Sequence, residues 1–91
     1  MFKQVFTNQA ADGHSDAAPT RGGIMELVVA GNLGGGTVQL EAYYPEVGEW
    51  VPVDGGTWTT AAVKVLDLGQ RPCDLRYSLT GSTAASVKGF I

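Results

Sequence analysis

The sequence has few cysteines, few histidines and little charge, which limits how it can be stabilised or reactive. It contains one cysteine and one histidine, and charged residues occupy 16% of its 91 positions. Cys73 has no partner within the chain for a disulfide, so we expect it to be a small, buried apolar side chain. Stability must then come from packing one modest core, or from assembly with other subunits.

Basic residues are also scarce. Six lysines and arginines stand against nine aspartates and glutamates, which gives a net charge of −3. Because phosphate binding requires clustered basic side chains, this balance argues against nucleic acid as a partner. No apolar run approaches the ~20 residues that span a bilayer, and the N-terminus MFKQVFTNQ lacks the apolar centre of a signal peptide. We therefore expect no membrane partner, and synthesis in the cytoplasm.

Patterns for catalysis and metal binding are equally thin. His14 is the only histidine, and it lies in the short polar stretch from Asp12 to Asp16. That stretch has the wrong ligand order for a calcium loop and no rigid setting for a general base. The glycines at positions 34–36 precede a strand pattern rather than a helix, so they do not indicate a phosphate-binding loop. The sequence predicts a protein that is not an enzyme and that holds no metal or cofactor.

Short alternating segments separated by Gly, Pro and Asp make up most of the chain. They predict an all-β fold, a single small antiparallel β-sandwich or barrel of six to seven strands over residues 24–91. The expected strands cover residues 24–31, 37–45, 49–53, 57–69, 75–81 and 85–91. A turn is expected at residues 54–56. A one-residue phase shift within 57–69 indicates a bulge or a bend between sheets.

The first 23 residues differ from the rest in composition. Residues 8–23 contain no large apolar side chain, and such a segment buries too little surface to offset its ordering entropy. Phe2 and Phe6 could anchor it, or contribute a first strand. We expect residues 1–23 to form a flexible N-terminal arm or loop that becomes ordered on assembly.

The hairpin expected after residue 36 directs its side chains to opposite faces. Period-2 alternation sends Val38, Leu40 and Tyr44 inward and leaves Tyr43 outward. The residues from Pro45 to Glu49 form the hairpin tip. Tyr43 and this tip are therefore the parts of the hairpin that are free to contact a partner.

The positions of the two tryptophans stay open, and two substitutions test the predicted faces of the strand at residues 37–45. Trp50 and Trp58 fit either the core or an interface, since each buries a large area wherever it packs. If Leu40 is a core residue, Leu40→Ala should cost about 2–5 kcal/mol. Gln39→Ala, on the opposite face of the same strand, should be nearly silent.

Residues 21–91 contain several short motifs. They are RGG at 21–23, LVVAG at 27–31, GGTVQL at 35–40, GEWVPV at 48–53, LDLGQ at 66–70, LRY at 75–77 and TGSTAA at 80–85. In this combination the chain resembles a family of small bacteriophage virion structural proteins of the capsid decoration or head-fibre type. The likeness covers about three quarters of the chain and brings no catalytic residues with it.

The resemblance implies a non-enzymatic protein of the virion, on the capsid surface. Such a protein would decorate or cement the capsid by binding the major capsid protein or another virion protein, and would form a homo-oligomer, for which a trimer is one form. The residues expected to contact a partner are Tyr43, Pro45, Glu46, Trp50, Arg21, Phe2 and Phe6. The alternative is a carbohydrate- or receptor-binding fibre module that uses exposed aromatic side chains.

Overall fold

The computed structural model describes residues 3–91, so the contact predicted at Phe2 lies outside the described residues. The described part of the chain forms nine strands and no helix. The strands are β1 (Gln4–Gln9), β2 (Gly13–His14), β3 (Ala18–Thr20), β4 (Ile24–Asn32), β5 (Thr37–Tyr43), β6 (Trp50–Trp58), β7 (Ala62–Asp67), β8 (Cys73–Thr80) and β9 (Ser86–Phe90).

Two antiparallel sheets make up the fold, which confirms the predicted all-β class. Sheet A has the strand order β1-β9-β4-β7, and sheet B has the order β2-β8-β5-β6. The short β3 pairs with β8 on the side away from β5, next to β2. The strands outnumber the predicted six to seven because β2 and β3 arise in a segment without apolar alternation.

The core lies between the sheets and follows the alternation of the central strands. Val38 and Leu40 of β5 are buried, as predicted, and Ala42 on the same face is buried with them. The other fully buried aliphatic and aromatic side chains include Leu27, Val29, Trp58, Leu75, Tyr77, Leu79 and Val87. Each large side chain moved from water into this core contributes about 1.5–3 kcal/mol to stability.

Tyr77 connects the two sheets at the centre of this core. Its hydroxyl donates a hydrogen bond of 2.7 Å to the carbonyl oxygen of Phe90 in sheet A. Its ring meets the edge of Trp58, with ring centroids 5.4 Å apart at 90°. The sequence leaves Trp58 in either the core or an interface, and the structure places it in the core, where it is 1% exposed.

The N-terminal segment lies along the sandwich. β1 pairs with β9 in sheet A, whereas β2 and β3 pair with β8 in sheet B. Val5 and Phe6 are buried, and the Phe6 ring stacks on Tyr77 with centroids 6.2 Å apart. The sequence predicts an arm here because residues 8–23 contain no large apolar side chain. In the structure, backbone hydrogen bonds to distant strands hold this segment, and composition alone does not reveal such bonds.

Asp12 fastens the same segment to the turn between β8 and β9. Its carboxylate accepts hydrogen bonds of 2.9 Å from the backbone N–H groups of Gly81 and Ser82, and one of 2.6 Å from the Ser82 hydroxyl. The Ser82 hydroxyl and these backbone N–H groups hold the pKa of Asp12 below its ordinary value. Hydrogen bonds of Asp12 therefore hold this part of the chain, where residues 8–23 contain no large apolar side chain.

The turn predicted at residues 54–56 is wrong, because β6 continues through it to Trp58. Gln39 pairs with Thr57 and Glu41 with Pro52, so residues 53–56 of β6 bulge opposite a single residue of β5. The bulge approaches Leu40 so closely that a Cβ at Gly56 would lie 2.9 Å from the Leu40 Cβ. Glycine is required there by space rather than by a turn.

Gln39 holds this bulge in place. Its side-chain nitrogen donates to the carbonyl oxygens of Leu40, Val53 and Gly56 at 2.8, 3.0 and 3.1 Å. Its side-chain oxygen accepts a hydrogen bond of 2.8 Å from the Thr57 hydroxyl. The expectation that Gln39→Ala would be nearly silent is therefore revised, since its outward position does not leave the side chain unbonded.

Within residues 57–69, the predicted phase shift is not found in β7, but a bend between sheets is present, because the chain passes from β6 in sheet B to β7 in sheet A. The chain turns at residues 59–61, and β7 then alternates regularly, with Lys64 and Leu66 on the core side and Val63 and Val65 exposed. The Lys64 ammonium lies 5.7 Å from the centroid of the Trp58 ring. A lysine whose stem packs inward mimics a change of phase in the sequence.

Candidate binding face

The outward side of sheet B brings together side chains from four strands. Alternation turns Glu41 and Tyr43 of β5 away from the core, and the register places Arg76 opposite Glu41 and Trp50 opposite Tyr43. His14 of β2 pairs with Ser78 on the same sheet. We call Glu41, Tyr43, Trp50, Arg76 and His14 the aromatic face.

Arg76 organises the aromatic face. Its guanidinium carbon lies 4.2 Å from the centroid of the Trp50 ring, and its Nε donates to Glu41 Oε1 at 2.8 Å. Both charged side chains are only about one-fifth exposed, at 20% and 19%. A cation over an aromatic ring at such a site contributes roughly 0.5–2 kcal/mol, so Arg76 and Trp50 hold each other in place.

Tyr43 completes the aromatic surface beside Trp50. The two ring centroids are 5.5 Å apart, and the rings are tilted by 48°. As a directly opposite cross-strand pair, they stabilise the end of the hairpin by about 0.2–1 kcal/mol. The prediction that Tyr43 points outward is consistent with this arrangement.

His14 lies at the margin of the same face. Its Nδ1 is 3.7 Å from Glu41 Oε1, the oxygen that also accepts from Arg76. The His14 side chain is 53% exposed. A protonated His14 would add a second positive charge beside this carboxylate, whereas the neutral ring would leave Glu41 to Arg76 alone.

The hairpin tip continues the aromatic face at one end. The backbone N–H groups of Val47 and Gly48 donate to the carbonyl oxygen of Tyr44, which closes the turn. Glu46 forms an exposed ion pair with Arg71, with 3.1 Å between the charged atoms. A shallow pocket of about 160 Å³ lies beside the tip. It is lined by Pro19, Thr20, Tyr43, Pro45, Pro72, Cys73 and Asp74.

Tyr44 and Cys73 lie behind the tip rather than on the aromatic face. Tyr44 is partly buried and packs against the core, in keeping with its predicted inward direction. Burial raises the pKa of the Tyr44 hydroxyl and of the Cys73 thiol. Cys73 is 5% exposed, so it is the buried apolar side chain that the sequence predicts, and burial favours its neutral thiol.

The predicted contact residues do not all lie on one surface. Tyr43, Pro45, Glu46 and Trp50 lie together at the hairpin end of sheet B. Arg21 is exposed and lies outside that group. It is two residues before Gly23, whose N–H donates to the Gly69 carbonyl oxygen. Gly69 is two residues before Arg71, the partner of Glu46 in the exposed ion pair. Phe6 does not belong to such a surface, because it is 2% exposed and its ring completes the core.

Three members of the aromatic face were missed by sequence reasoning. The alternation of β8 indicates that Arg76 points outward, but the sequence cannot say that Glu41, 35 residues earlier, lies beside it. The sequence predicts His14 in a flexible segment because residues 8–23 contain no large apolar side chain, whereas in the structure it lies in the two-residue strand β2. The pairing register of β5 with β8, which no local pattern encodes, is the missing information.

The described residues were also searched for two other kinds of feature. Within residues 3–91 no group of three or more His, Cys, Asp or Glu side chains is arranged to hold a metal ion. In the same range no helix is long and apolar enough to cross a membrane. Comparison of the chain with family models, with curated proteins and with solved structures finds no match.

Proposed function

We propose that this protein is a non-enzymatic virion structural protein that decorates or cements a phage capsid, and that the aromatic face binds the major capsid protein. One observation carries the proposal: Tyr43, Trp50 and Arg76 lie side by side on the outward surface of sheet B. Tyr, Trp and Arg are the residue types most enriched among those that dominate protein–protein binding energy.

The surface is preorganised for binding. Glu41 fixes the Arg76 guanidinium from the neighbouring strand, and Arg76 in turn covers the Trp50 ring. Side chains that are already ordered lose little rotamer freedom when a partner docks, a loss that otherwise costs about 0.5–1.5 kcal/mol for each flexible side chain. Rigid strands also hold such a cluster more accurately than loops do.

The choice of a virion partner depends on the resemblance of residues 21–91 to small phage virion proteins. The physical character of the chain agrees with that choice. A domain with no disulfide and a modest core gains stability when it docks on a larger body. Its net charge of −3 favours a protein surface over nucleic acid.

A carbohydrate-binding fibre module is the alternative function. It also depends on Trp50 and Tyr43, but stacking on a sugar needs an open aromatic face. Arg76 already lies 4.2 Å from the Trp50 ring, so one face of that ring is covered. This geometry favours a protein partner, which can contact the arginine and both rings together.

Co-sedimentation with purified capsids tests the proposal. We expect the wild-type protein to pellet with capsids and Trp50→Ala to bind at least about tenfold more weakly, because truncation of a central anchor commonly costs more than 2 kcal/mol. Thr7→Ala, at an exposed position of β1 in the other sheet, is the control and should bind normally. Equal binding by all three proteins would refute the role of the aromatic face.

A fluorescence titration separates the two functions. Trp58 is buried in the core and Trp50 is the half-exposed tryptophan, so a ligand on sheet B should change Trp50 emission alone. We expect no change on titration with a panel of glycans. A saturable change that is lost in Trp50→Phe would favour the fibre-module alternative instead.

A further inference from the structure

The outward side of sheet A carries most of the exposed aliphatic surface of the described residues. Ile24 of β4 is 75% exposed, and Val63 and Val65 of β7 are 57% and 62% exposed. Leu27 and Val29, their neighbours on β4 that face inward, are completely buried. A domain with a small core therefore leaves large apolar side chains in water on one sheet.

The register of sheet A arranges these side chains in rows. Val28 lies between Val63 on β7 and Phe90 on β9, which makes an apolar row across three strands. In the next row to one side, Glu26 lies opposite Val65. We call the outward residues of β4, β7 and β9 the valine face.

The rows on either side of Val28 carry opposite charges. On the side away from Glu26, Ala30 lies opposite Lys88. Glu26 and Lys88 are both exposed, and neither forms an ion pair within residues 3–91. The central apolar row thus has a negative charge on one side and a positive charge on the other.

The strand edges nearby are poorly suited to pairing with another chain. β6, the edge of sheet B, contains Pro52 and the bulge at residues 53–56. β7, the edge of sheet A, has Lys64 pointing toward the core side. Proline, bulges and inward charged residues are the features that discourage edge-to-edge pairing. The valine face has no such protection, so contact through the face is favoured over extension of the sheet.

We propose that the valine face binds the valine face of a second copy of this chain, about a two-fold axis that crosses the strands over the Val28 row. Rotation about that axis places Glu26 over Ala30 of the second copy, next to Lys88 of the second copy. Ala30 and Lys88 lie on neighbouring strands, which are about 4.8 Å apart, and a lysine side chain spans that offset. A two-fold contact forms the Glu26–Lys88 pair twice and buries Val63 and Val65.

The size of the face sets the strength of this contact. The three strands of the face, spaced about 4.8 Å apart and about 18 Å long, offer a projected area of about 260 Å². Stable interfaces bury about 800 Å² of accessible surface on each partner, so this contact lies below that range, with the weak and transient interfaces. We expect a dimer in concentration-dependent equilibrium with monomer. This inference does not depend on the aromatic face.

Sedimentation equilibrium of wild-type protein and charge-reversed variants tests the contact. Glu26→Lys and Lys88→Glu should each weaken dimerisation about tenfold or more, because each replaces two attractive pairs with two repulsive ones. The double variant Glu26→Lys with Lys88→Glu should recover most of the wild-type affinity. Failure of the double variant to recover, with both single variants folded, would refute the two-fold arrangement.

A second comparison tests the apolar part. Val63→Lys should abolish the dimer, because the two-fold axis over the Val28 row would bring the introduced ammonium groups of the two copies together. Val47→Lys makes the same change at a valine that is 56% exposed at the hairpin tip, and it should dimerise normally. A protein that stays monomeric at all concentrations, forms a trimer, or loses the dimer in Val47→Lys or Trp50→Ala would overturn the proposal.

Discussion

Gln39→Ala should destabilise the protein by about 1.5–3 kcal/mol, although Gln39 lies on the outward side of β5. The two N–H groups of its amide serve three carbonyl oxygens, and its oxygen accepts from Thr57. Counted as two N–H donors and one acceptor, the amide makes the equivalent of three hydrogen bonds, which contribute a net 0.5–1.5 kcal/mol each, about 1.5–4.5 kcal/mol in total. We take the lower part of that range because Thr57 is exposed and water can replace its bond.

Two further variants sharpen this prediction. Gln39→Glu preserves the shape but points a carboxylate oxygen at the carbonyl oxygens of Leu40, Val53 and Gly56, so it should destabilise at least as much as Gln39→Ala. Its deficit should shrink in acid, because the protonated carboxyl group regains one donor. Thr37→Val, on the same face of β5, alters a side chain that makes no hydrogen bond to any of residues 3–91 and should change stability by less than about 0.5 kcal/mol.

Urea unfolding followed by tryptophan fluorescence measures these differences. The midpoint should fall in the order wild type, Gln39→Ala, Leu40→Ala, with unchanged slopes, since the loss at Leu40 is about 2–5 kcal/mol. A Gln39→Ala midpoint that matches Thr37→Val would show that the bulge in β6 does not depend on this amide. It would restore the original expectation from the sequence.

Three other predictions concern the core and the ionisable groups. Gly89→Ala should cost about 1–3 kcal/mol, because its Cβ would lie 2.7 Å from the Tyr77 ring, and an unchanged urea midpoint would contradict this packing. Asp12 has a pKa lowered from 3.8, so the contribution of its carboxylate to stability is present above that pH and lost below it. Urea midpoints of wild type and Asp12→Asn should therefore differ at neutral pH and converge in acid. A constant difference would count against the contacts with Ser82. Burial raises the pKa of Tyr77 above 10.0, so wild-type stability should decline as the pH rises through that value, and more steeply than the stability of Tyr77→Phe. Parallel declines of the two proteins would contradict the burial of the Tyr77 hydroxyl.

Local alternation was enough to predict the central strands. Val38, Leu40 and Ala42 point inward and Tyr43 outward because β5 lies in the middle of a sheet with one face on the core. In such a strand the period-2 pattern records burial directly. The same reasoning fails for β7, where Lys64 faces the core side and Val63 faces solvent.

Features that depend on distant residues were beyond local patterns. Ser15 donates from its backbone to the carbonyl oxygen of Tyr77, and its hydroxyl accepts from the Tyr77 N–H, 62 positions along the chain. Bonds of this kind order residues 12–16, which have no large apolar side chain. The pairing of Glu41 with Arg76 is likewise set by strand register. The aromatic face could therefore be anticipated at Tyr43 and Trp50, but not as a cluster.

Symmetry-resolved density of purified phage particles tests the central claim most directly. We expect a two-sheet density on the capsid surface that fits residues 3–91, with Tyr43, Trp50 and Arg76 against the major capsid protein. Mass spectrometry of the same particles identifies the chain. Particles that lack it, or density in which the aromatic face points to solvent while another surface meets the capsid, would contradict the proposed function.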